Sequence, residues 1–198
     1  MDIDLREIET TQAYKLMTGS VIPRPIAWVS TADDEGNKNL APFSFFTVAS
    51  RNPPMLCISV GPGAGEREGS VKDTLANIRA QKEFVINIVT SGLGNAMQKS
   101  AENMADKIDE FEIAGLHAAK AVKVEASLVA EAPISFELKL HQLLELGTDT
   151  LIIGEVLHYH IKDDYYLGNY KVDMQKLQPL ARLAGVYSEL GPAFSLPR

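Results

Sequence analysis

The chain has 198 residues, of which 45% are hydrophobic and 23% are charged, the balance of an ordinary globular protein. Its net charge of −7 argues against nucleic acid or an anionic membrane as the main partner. The lone cysteine, Cys57, excludes an internal disulfide and any multi-cysteine metal site. The sequence contains no run of about 20 apolar residues, so we expect no membrane span. The acidic start of the chain lacks the apolar core of a signal peptide. These features predict a cytoplasmic protein, with a single domain over residues 1–198.

The first third of the chain predicts a helix and then a β-hairpin. A short helix is expected from about Glu9 to Met17, with Gly19 as its end. The run from Ile26 to Thr31 predicts a strand, and a polar turn leads into a returning strand over residues 39–49. Pro42 lies in the returning strand, which indicates an edge position or a bulge.

A glycine-rich loop connects the next strand to the next helix. The apolar run from Met55 to Val60 predicts a buried strand, and a helix is expected from about Ser70 to Gln81. Ser70 is the expected cap of this helix, with Asp73 three residues further on. The loop lacks the lysine of a P-loop and the spacing of a dinucleotide-binding fingerprint.

The start of this helix is a candidate anion site. First-turn N–H groups lack helical partners and carry the positive end of the helix dipole. Lys72 and Arg67 would add positive charge, and Ser70 and Thr74 would add hydroxyl groups. The alternative interpretation is an ordinary loop and cap with solvated charges.

The remaining two thirds of the chain predict four more strands and two short helical stretches. The strands are expected over residues 84–89, 120–130, 134–140 and 151–161, and the helical stretches begin near Ser91 and Asp106. About seven strands joined mostly by turns favour a mainly β fold of the α+β class with short peripheral helices, and a barrel over a sandwich. The barrel is expected over about residues 20–162. Residues 163–198 form a C-terminal extension whose tail is expected at the surface.

Two histidines at a spacing of two raise the question of a metal site. His158 and His160 would share one face of a strand, while Glu155 would face the other way. Because a closed zinc site needs four ligands, we expect a surface face here and no metal.

Several short segments, in order along the chain, together resemble the flavin reductase-like family, closest to its flavoredoxin-like branch. They are residues 24–31 (RPIAWVST), 39–46 (NLAPFSFF) and 52–55 (NPPM), Lys72-Asp73-Thr74 with Asn77-Ile78, Asp109-Glu110-Phe111, and Arg182 to Gly185 with Tyr187. The resemblance implies the fold of that family, an FMN-binding split β-barrel with Greek-key-like connections. Ala184 departs from the pattern, since the family often has a second glycine there.

The resemblance also implies where FMN binds. The phosphate would lie by Lys72, the backbone N–H of Asp73, and Thr74, and Ser59, Arg67 and Ser70 would assist. The flavin ring would lie against the consecutive residues Ser44, Phe45, Phe46 and Thr47. Trp28 and Ser30, on the facing strand, would also lie near the flavin. For Trp28, Phe45 and Phe46, plain barrel core is the alternative interpretation.

The function implied by the resemblance is that of an FMN-dependent oxidoreductase. NADH or NADPH would reduce FMN, and reduced FMN would pass electrons to an acceptor. The flavin carries the chemistry, so we expect no catalytic residue in the protein. The resemblance further implies a homodimer with FMN near the interface. The alternatives are an FMN-containing electron carrier that a protein partner reduces without a nicotinamide site, and a flavin-binding module without a redox role.

The role of Arg182 and Tyr187 stays open between a pocket contact and a packed turn.

Overall fold

The computed structural model describes residues 1–63, 69–102 and 109–197. The strands, in chain order, are β1 (Arg24–Pro25), β2 (Ala27–Ala32), β3 (Lys38–Phe43), β4 (Phe46–Arg51), β5 (Pro54–Val60), β6 (Glu83–Ile88), β7 (Ala118–Ala119), β8 (Leu128–Val129), β9 (Ile134–Leu146), β10 (Asp149–Ile161), β11 (Ala181–Arg182) and β12 (Tyr187–Ser188). The helices are α1 (Thr10–Ser20), α2 (Asp73–Gln81), α3 (Gly94–Lys99), α4 (Glu110–Ala114) and α5 (Met174–Leu177). Within these residues, no helix is long and apolar enough to cross a membrane.

Seven strands form one antiparallel sheet in the order β3-β2-β6-β9-β10-β5-β4. Strands β3 and β4 follow each other in the chain, yet they lie at opposite edges of this sheet. Only Ser44 and Phe45 separate them, and three Cα–Cα steps span at most about 11 Å. The edges of a flat seven-stranded sheet would be about 28 Å apart. The sheet must therefore curl until its two edges meet, which makes it a split barrel and confirms the predicted mainly β fold.

Strand β2 shows how side-chain alternation divides the core. Ala27 and Val29 face the barrel interior, where Ile58, Phe84, Leu138 and Ile152 are almost fully buried. Ile26 and Trp28 face outward, into a second cluster with Met97 of α3 and Phe111 of α4. Helix α2 contributes Leu75 and Ile78 to the interior cluster, because a spacing of three residues places both on one face of the helix. Both faces of β2 are therefore buried, each against a different set of elements.

The structure corrects three sequence-based boundaries in the first half of the chain. The predicted returning strand over residues 39–49 is wrong as a single strand, because the bend at residues 44–45 divides it into β3 and β4. The N-cap of α2 is Lys72, not Ser70, so this helix begins three residues later than expected. Helix α1 continues through Gly19 to Ser20. The hairpin of β2 and β3 is confirmed, with Ala27 opposite Phe43 and Ala32 opposite Lys38.

The predicted strand over residues 120–130 is also wrong. Only Leu128 and Val129, in β8, have strand pairing there. The backbone N–H groups of Val122 and Lys123 instead donate to the carboxylate of Glu137, at 2.8 and 2.5 Å. Val124 and Ala126 are buried against Val85 on the outer face of β6, so the apolar alternation reflects a packed loop.

The C-terminal segment is packed at its start and exposed beyond it: residues 180–183 are buried or partly buried, whereas residues 184–187 and 189–197 are exposed, as expected for a surface tail. Strand β11 pairs with β1, and Ala181 is 5% exposed. Leu180 packs against the cluster that contains Trp28. Of the helical stretch expected near Asp106, residues 106–108 lie outside the described residues, and the helix that follows is α4.

Gly154 of β10 offers a test of how tightly the barrel interior is packed. A Cβ atom at this position would lie 2.6 Å from Phe84 Cζ and 3.0 Å from Leu138 Cδ2, both in the core. We expect Gly154→Ala to lower the free energy of unfolding by about 1–3 kcal/mol, the usual effect of overpacking. Urea unfolding, followed by the fluorescence of the single, buried Trp28, measures the change.

Gly19 provides the matched control, because a Cβ atom there meets nothing within 4 Å and the position is helical. Gly19→Ala should leave the stability unchanged or raise it by up to about 1 kcal/mol. Equal stabilities of the two variants would contradict the packing argument.

Candidate functional site

The start of α2 presents a partly buried lysine. Lys72 is the N-cap residue, and its side chain makes no capping hydrogen bond. Its Nζ lies 5.5 Å from the centroid of the Phe43 ring. Burial lowers the pKa of Lys72, and the negative charge of Asp149 only partly opposes this effect. An ammonium group with incomplete compensation is a favourable place for an additional anion.

The first residue of β10 connects this lysine to the end of β5. Asp149 Oδ2 lies 3.5 Å from Ser59 Oγ, and Asp149 Oδ1 lies 3.5 Å from the position of a Cβ atom on Gly61. A side chain at residue 61 would thus contact this carboxylate. The family resemblance places Lys72 and Ser59 in one phosphate site. In the structure both interact with Asp149, Lys72 through its charge and Ser59 through its hydroxyl.

The first turn of α2 is held in place by buried polar side chains. The hydroxyl of Thr74 accepts a hydrogen bond from Asn39 Nδ2 at 2.9 Å, and Thr74 is 1% exposed. Asn77 Nδ2 donates to Thr31 Oγ1 at 3.0 Å, which ties the helix to β2. Because the Thr74 hydroxyl already has a partner within the protein, its side chain positions the helix. The sequence analysis assigned no role to Asn39 or Asn77.

The bend between β3 and β4 exposes an aromatic residue beside this site. Phe45 is 38% exposed, and its backbone carbonyl accepts a hydrogen bond of 2.9 Å from the N–H of Ser59. Phe46 is partly buried against the barrel interior, and Thr47 is exposed. The bend thus brings Ser44 to Thr47 next to the β5 residue that lies near Asp149.

A buried arginine that the sequence analysis did not single out for the site holds this bend. Arg24 is 6% exposed, and its Nε donates to Ser44 Oγ at 3.4 Å. Its Nη1 donates to the carbonyls of Thr18 and Val21, and its Nη2 donates to the carbonyl of Leu183 at 2.6 Å. The guanidinium carbon also lies 5.9 Å from the centroid of the Phe45 ring. Arg24 therefore joins α1, the C-terminal segment and the bend.

Trp28 and Ser30 lie inside the protein, apart from this group. Trp28 is fully buried, and its Nε1 donates to Ser100 Oγ at 2.9 Å. Ser30 is also fully buried, and its hydroxyl donates to the carbonyl of Ser127 at 2.5 Å. The structure supports the core interpretation of Trp28, and flavin contact by Trp28 or Ser30 stays a prediction.

The remaining predicted site residues are placed as follows. Arg67 lies outside the described residues. Ser70 is partly buried, and its backbone carbonyl accepts a hydrogen bond from the N–H of Gly63 at 2.8 Å. Asp73 is the first residue of α2 and is partly buried.

Arg182 and Tyr187 contact each other in the short strands β11 and β12. The Arg182 guanidinium carbon lies 4.5 Å from the centroid of the Tyr187 ring, and the Tyr187 hydroxyl donates to Gln98 Oε1 at 2.8 Å. These contacts join the C-terminal segment to α3.

Comparison with known proteins identifies the family. The sequence profile described as "Flavin reductase like domain" matches residues 18–178. The chain belongs to the flavin reductase-like family. This membership confirms the resemblance drawn from the short motifs, and it makes the protein a flavin-related oxidoreductase by family.

Three solved structures illustrate the likeness. Nitrilotriacetate monooxygenase component B from Bacillus cereus is 33% identical, covers 99% of this chain and 98% of its own, and superposes with a TM-score of 0.93. The 2-nitrobenzoate 2-nitroreductase of Pseudomonas fluorescens is 28% identical and superposes with a TM-score of 0.85. The match covers 100% of this chain and 96% of the nitroreductase chain. Flavoredoxin of Desulfovibrio vulgaris shares the fold at 20% identity, with coverage of 99% and 97% and a TM-score of 0.80.

The replacement Arg24→Lys tests the role of the buried guanidinium. One ammonium group cannot reach the carbonyls of Thr18, Val21 and Leu183 in the geometry of the planar guanidinium. We expect a loss of about 1–3 kcal/mol in the free energy of unfolding for each buried carbonyl left without a partner. Urea unfolding measures the loss, and flavin affinity should fall with it because Ser44 loses its support.

Arg6→Lys is the control, since the Arg6 side chain is 89% exposed and pairs with Asp4 at the surface. Its stability should match that of the wild type. If Arg24→Lys behaves like Arg6→Lys, Arg24 does not hold the bend.

Proposed function

We propose that this protein binds FMN and passes electrons through it from NADH or NADPH to an acceptor. The observation that carries the proposal is the partly buried Lys72 at the N-terminus of α2, whose pKa is lowered by burial. A dianionic phosphate next to this ammonium would supply the charge that the site lacks. Family membership supports a flavin as the molecule that carries the phosphate.

The phosphate would be held from two sides. Lys72 and the first-turn N–H groups of α2 would contact it on one side, with Asp73 acting through its backbone and not its carboxylate. Ser59 would offer its hydroxyl on the other side, with Ser70 and Arg67 assisting. The buried hydroxyl of Thr74 orients the helix through Asn39, so that the N–H groups keep their direction.

The flavin ring would lie against the bend at Ser44 to Thr47. The backbone there offers N–H and C=O groups along one side, and the exposed ring of Phe45 offers a flat apolar surface. When bound, the flavin accepts a hydride and releases electrons to an acceptor. The protein binds and orients the ring, and no side chain is required as a general acid or base.

The proposal includes a homodimer with FMN near the interface. Strand β4 is at the edge of the sheet, and Val48 on it is 68% exposed next to the bend. An exposed apolar edge strand favours a contact with a second copy. Sedimentation velocity tests this part of the proposal, and a monomer that retains FMN at full affinity would contradict it.

Lys72→Ala tests the phosphate assignment. Because the lost contact is a charge-assisted one to the phosphate, FMN affinity should fall by about 10-fold or more. Riboflavin has no phosphate, so its affinity should change by less than about threefold. Fluorescence titration with each flavin measures both dissociation constants.

The control is Lys120→Ala, which removes the same charge from an exposed position. It should leave both dissociation constants unchanged. An equal loss of FMN and riboflavin affinity in Lys72→Ala would contradict the assignment.

The electron donor is tested by an anaerobic titration of the FMN-loaded protein with NADH and then with NADPH, followed by flavin absorbance. We expect rapid bleaching by at least one nucleotide, well above the rate for free FMN under the same conditions. If neither nucleotide bleaches a flavin that dithionite still reduces, NADH and NADPH are not the electron donors. That result would favour an electron carrier that a protein partner reduces. Failure to bind FMN would overturn the proposal as a whole.

A further inference from the structure

Three metal-ligating side chains meet on the outer face of the sheet, far from the candidate flavin site. They are His158 and His160 of β10 and Glu137 of the neighbouring β9. One ligand atom of each lies within 4.8 Å of the ligand atoms of the other two. His158 lies nine residues after Asp149, which corresponds to about 30 Å along β10, so the cluster is separate from the Lys72 site.

A β-bulge in β10 creates this cluster. Val156 pairs with Leu138, but His158 pairs with the next residue along, Glu137, so Leu157 is the extra residue. Without the bulge, simple alternation would place His158 on the same face as Val156, which packs against the barrel interior. The extra residue moves both histidines to the outer face, where Glu137 lies.

Glu137 is a preformed anionic ligand. It is fully buried, yet its carboxylate accepts hydrogen bonds from the N–H groups of Val122 and Lys123 and lies 2.5 Å from His160 Nε2. The two backbone donors hold the carboxylate in place, as second-sphere partners do around metal ligands.

The two histidines leave the site open to solvent. The His160 side chain is 27% exposed, and its ring centroid lies 4.6 Å from that of His158. In the part of the chain that the structure describes, no group hydrogen-bonds the imidazole of His158. One imidazole nitrogen is thus ready to bind a cation, and water can complete the coordination.

We propose that Glu137, His158 and His160 bind a divalent first-row transition metal ion, and that this ion is zinc. Two imidazoles and one carboxylate are a ligand set that suits such ions, whereas calcium and magnesium prefer oxygen ligands alone. The bound ion would join β9 to β10 and, through Glu137, to the loop at residues 122–123. The proposal does not depend on the flavin.

Metal binding requires small movements of the three side chains, whose ligand atoms lie within 4.8 Å of one another. Ligand atoms about 2.0–2.2 Å from one zinc ion in a tetrahedral site lie roughly 3.3 Å apart. The distance between His160 Nε2 and Glu137 Oε1 must therefore increase by about 1 Å. A side-chain rotation of the partly exposed His160 can produce this change. The carboxylate keeps its two backbone donors throughout.

The test is a zinc competition titration with a chromophoric chelator, on the full chain without a polyhistidine tag, after removal of metals. We expect the wild type to bind one zinc ion per chain. His158→Ala should lower the affinity by at least about tenfold, because three ligands become two. This variant keeps the hydrogen bond between His160 and Glu137, so the loop at residues 122–123 stays anchored and the chain stays folded.

His141→Ala is the matched control, since His141 is exposed on β9 and outside the cluster. Its zinc affinity should equal that of the wild type. Cobalt(II) gives a second readout: the visible absorption of the bound ion should appear in the wild type and in His141→Ala but not in His158→Ala. Absence of stoichiometric zinc binding by the wild type, or equal affinity in His158→Ala, would overturn the proposal.

Discussion

The passage from β3 to β4 through two residues is the constraint on which the rest of the structure depends. These strands form the two edges of the seven-stranded sheet, and so short a connection requires the edges to come together. The sheet curls, its inner face becomes one apolar core, and the bend at Ser44 and Phe45 lies at the seam. Residues from β3, β4 and β5 are thereby brought beside the start of α2, where the candidate flavin site lies.

Arg24 holds the bend between β3 and β4 in place. Its guanidinium donates to three backbone carbonyls and to the Ser44 hydroxyl, and it lies near the Phe45 ring, so neutral groups compensate this buried positive charge. One of these carbonyls belongs to Leu183, 159 residues away. The start of the C-terminal segment, residues 180–183, is thus part of the framework of the site, while the tail beyond it is mostly exposed.

The two ends of β10 have different chemistry. At the start of the strand, Asp149 lies near Lys72 and Ser59, in surroundings that favour an added anion. Near the end, a bulge turns two histidines toward a buried carboxylate, in surroundings that favour a cation. The buried Glu137 also explains why the loop at residues 120–127 is not a strand: its backbone N–H groups have a carboxylate as partner instead of a neighbouring strand.

The sequence by itself determined the features that are local along the chain. Apolar runs placed β2 and β5, and apolar alternation placed the first half of β9. Helical spacing placed the buried face of α2, and the ordered motifs identified the family. The position of Lys72 at a helix start made it a candidate anion ligand, whereas Ser59 became a candidate only through the resemblance to the family. Alternation failed over residues 120–130, where it reflects a packed loop and not a strand. It failed again at the bulge at Leu157, because one extra residue reverses which face later side chains occupy, so Glu155 lies on the same face as His158. Only the tertiary structure decided which strands are neighbours, that Arg24 meets Leu183, and that Glu137 meets His158 and His160. These contacts depend on how the whole sheet closes, and no local pattern of residues contains that information.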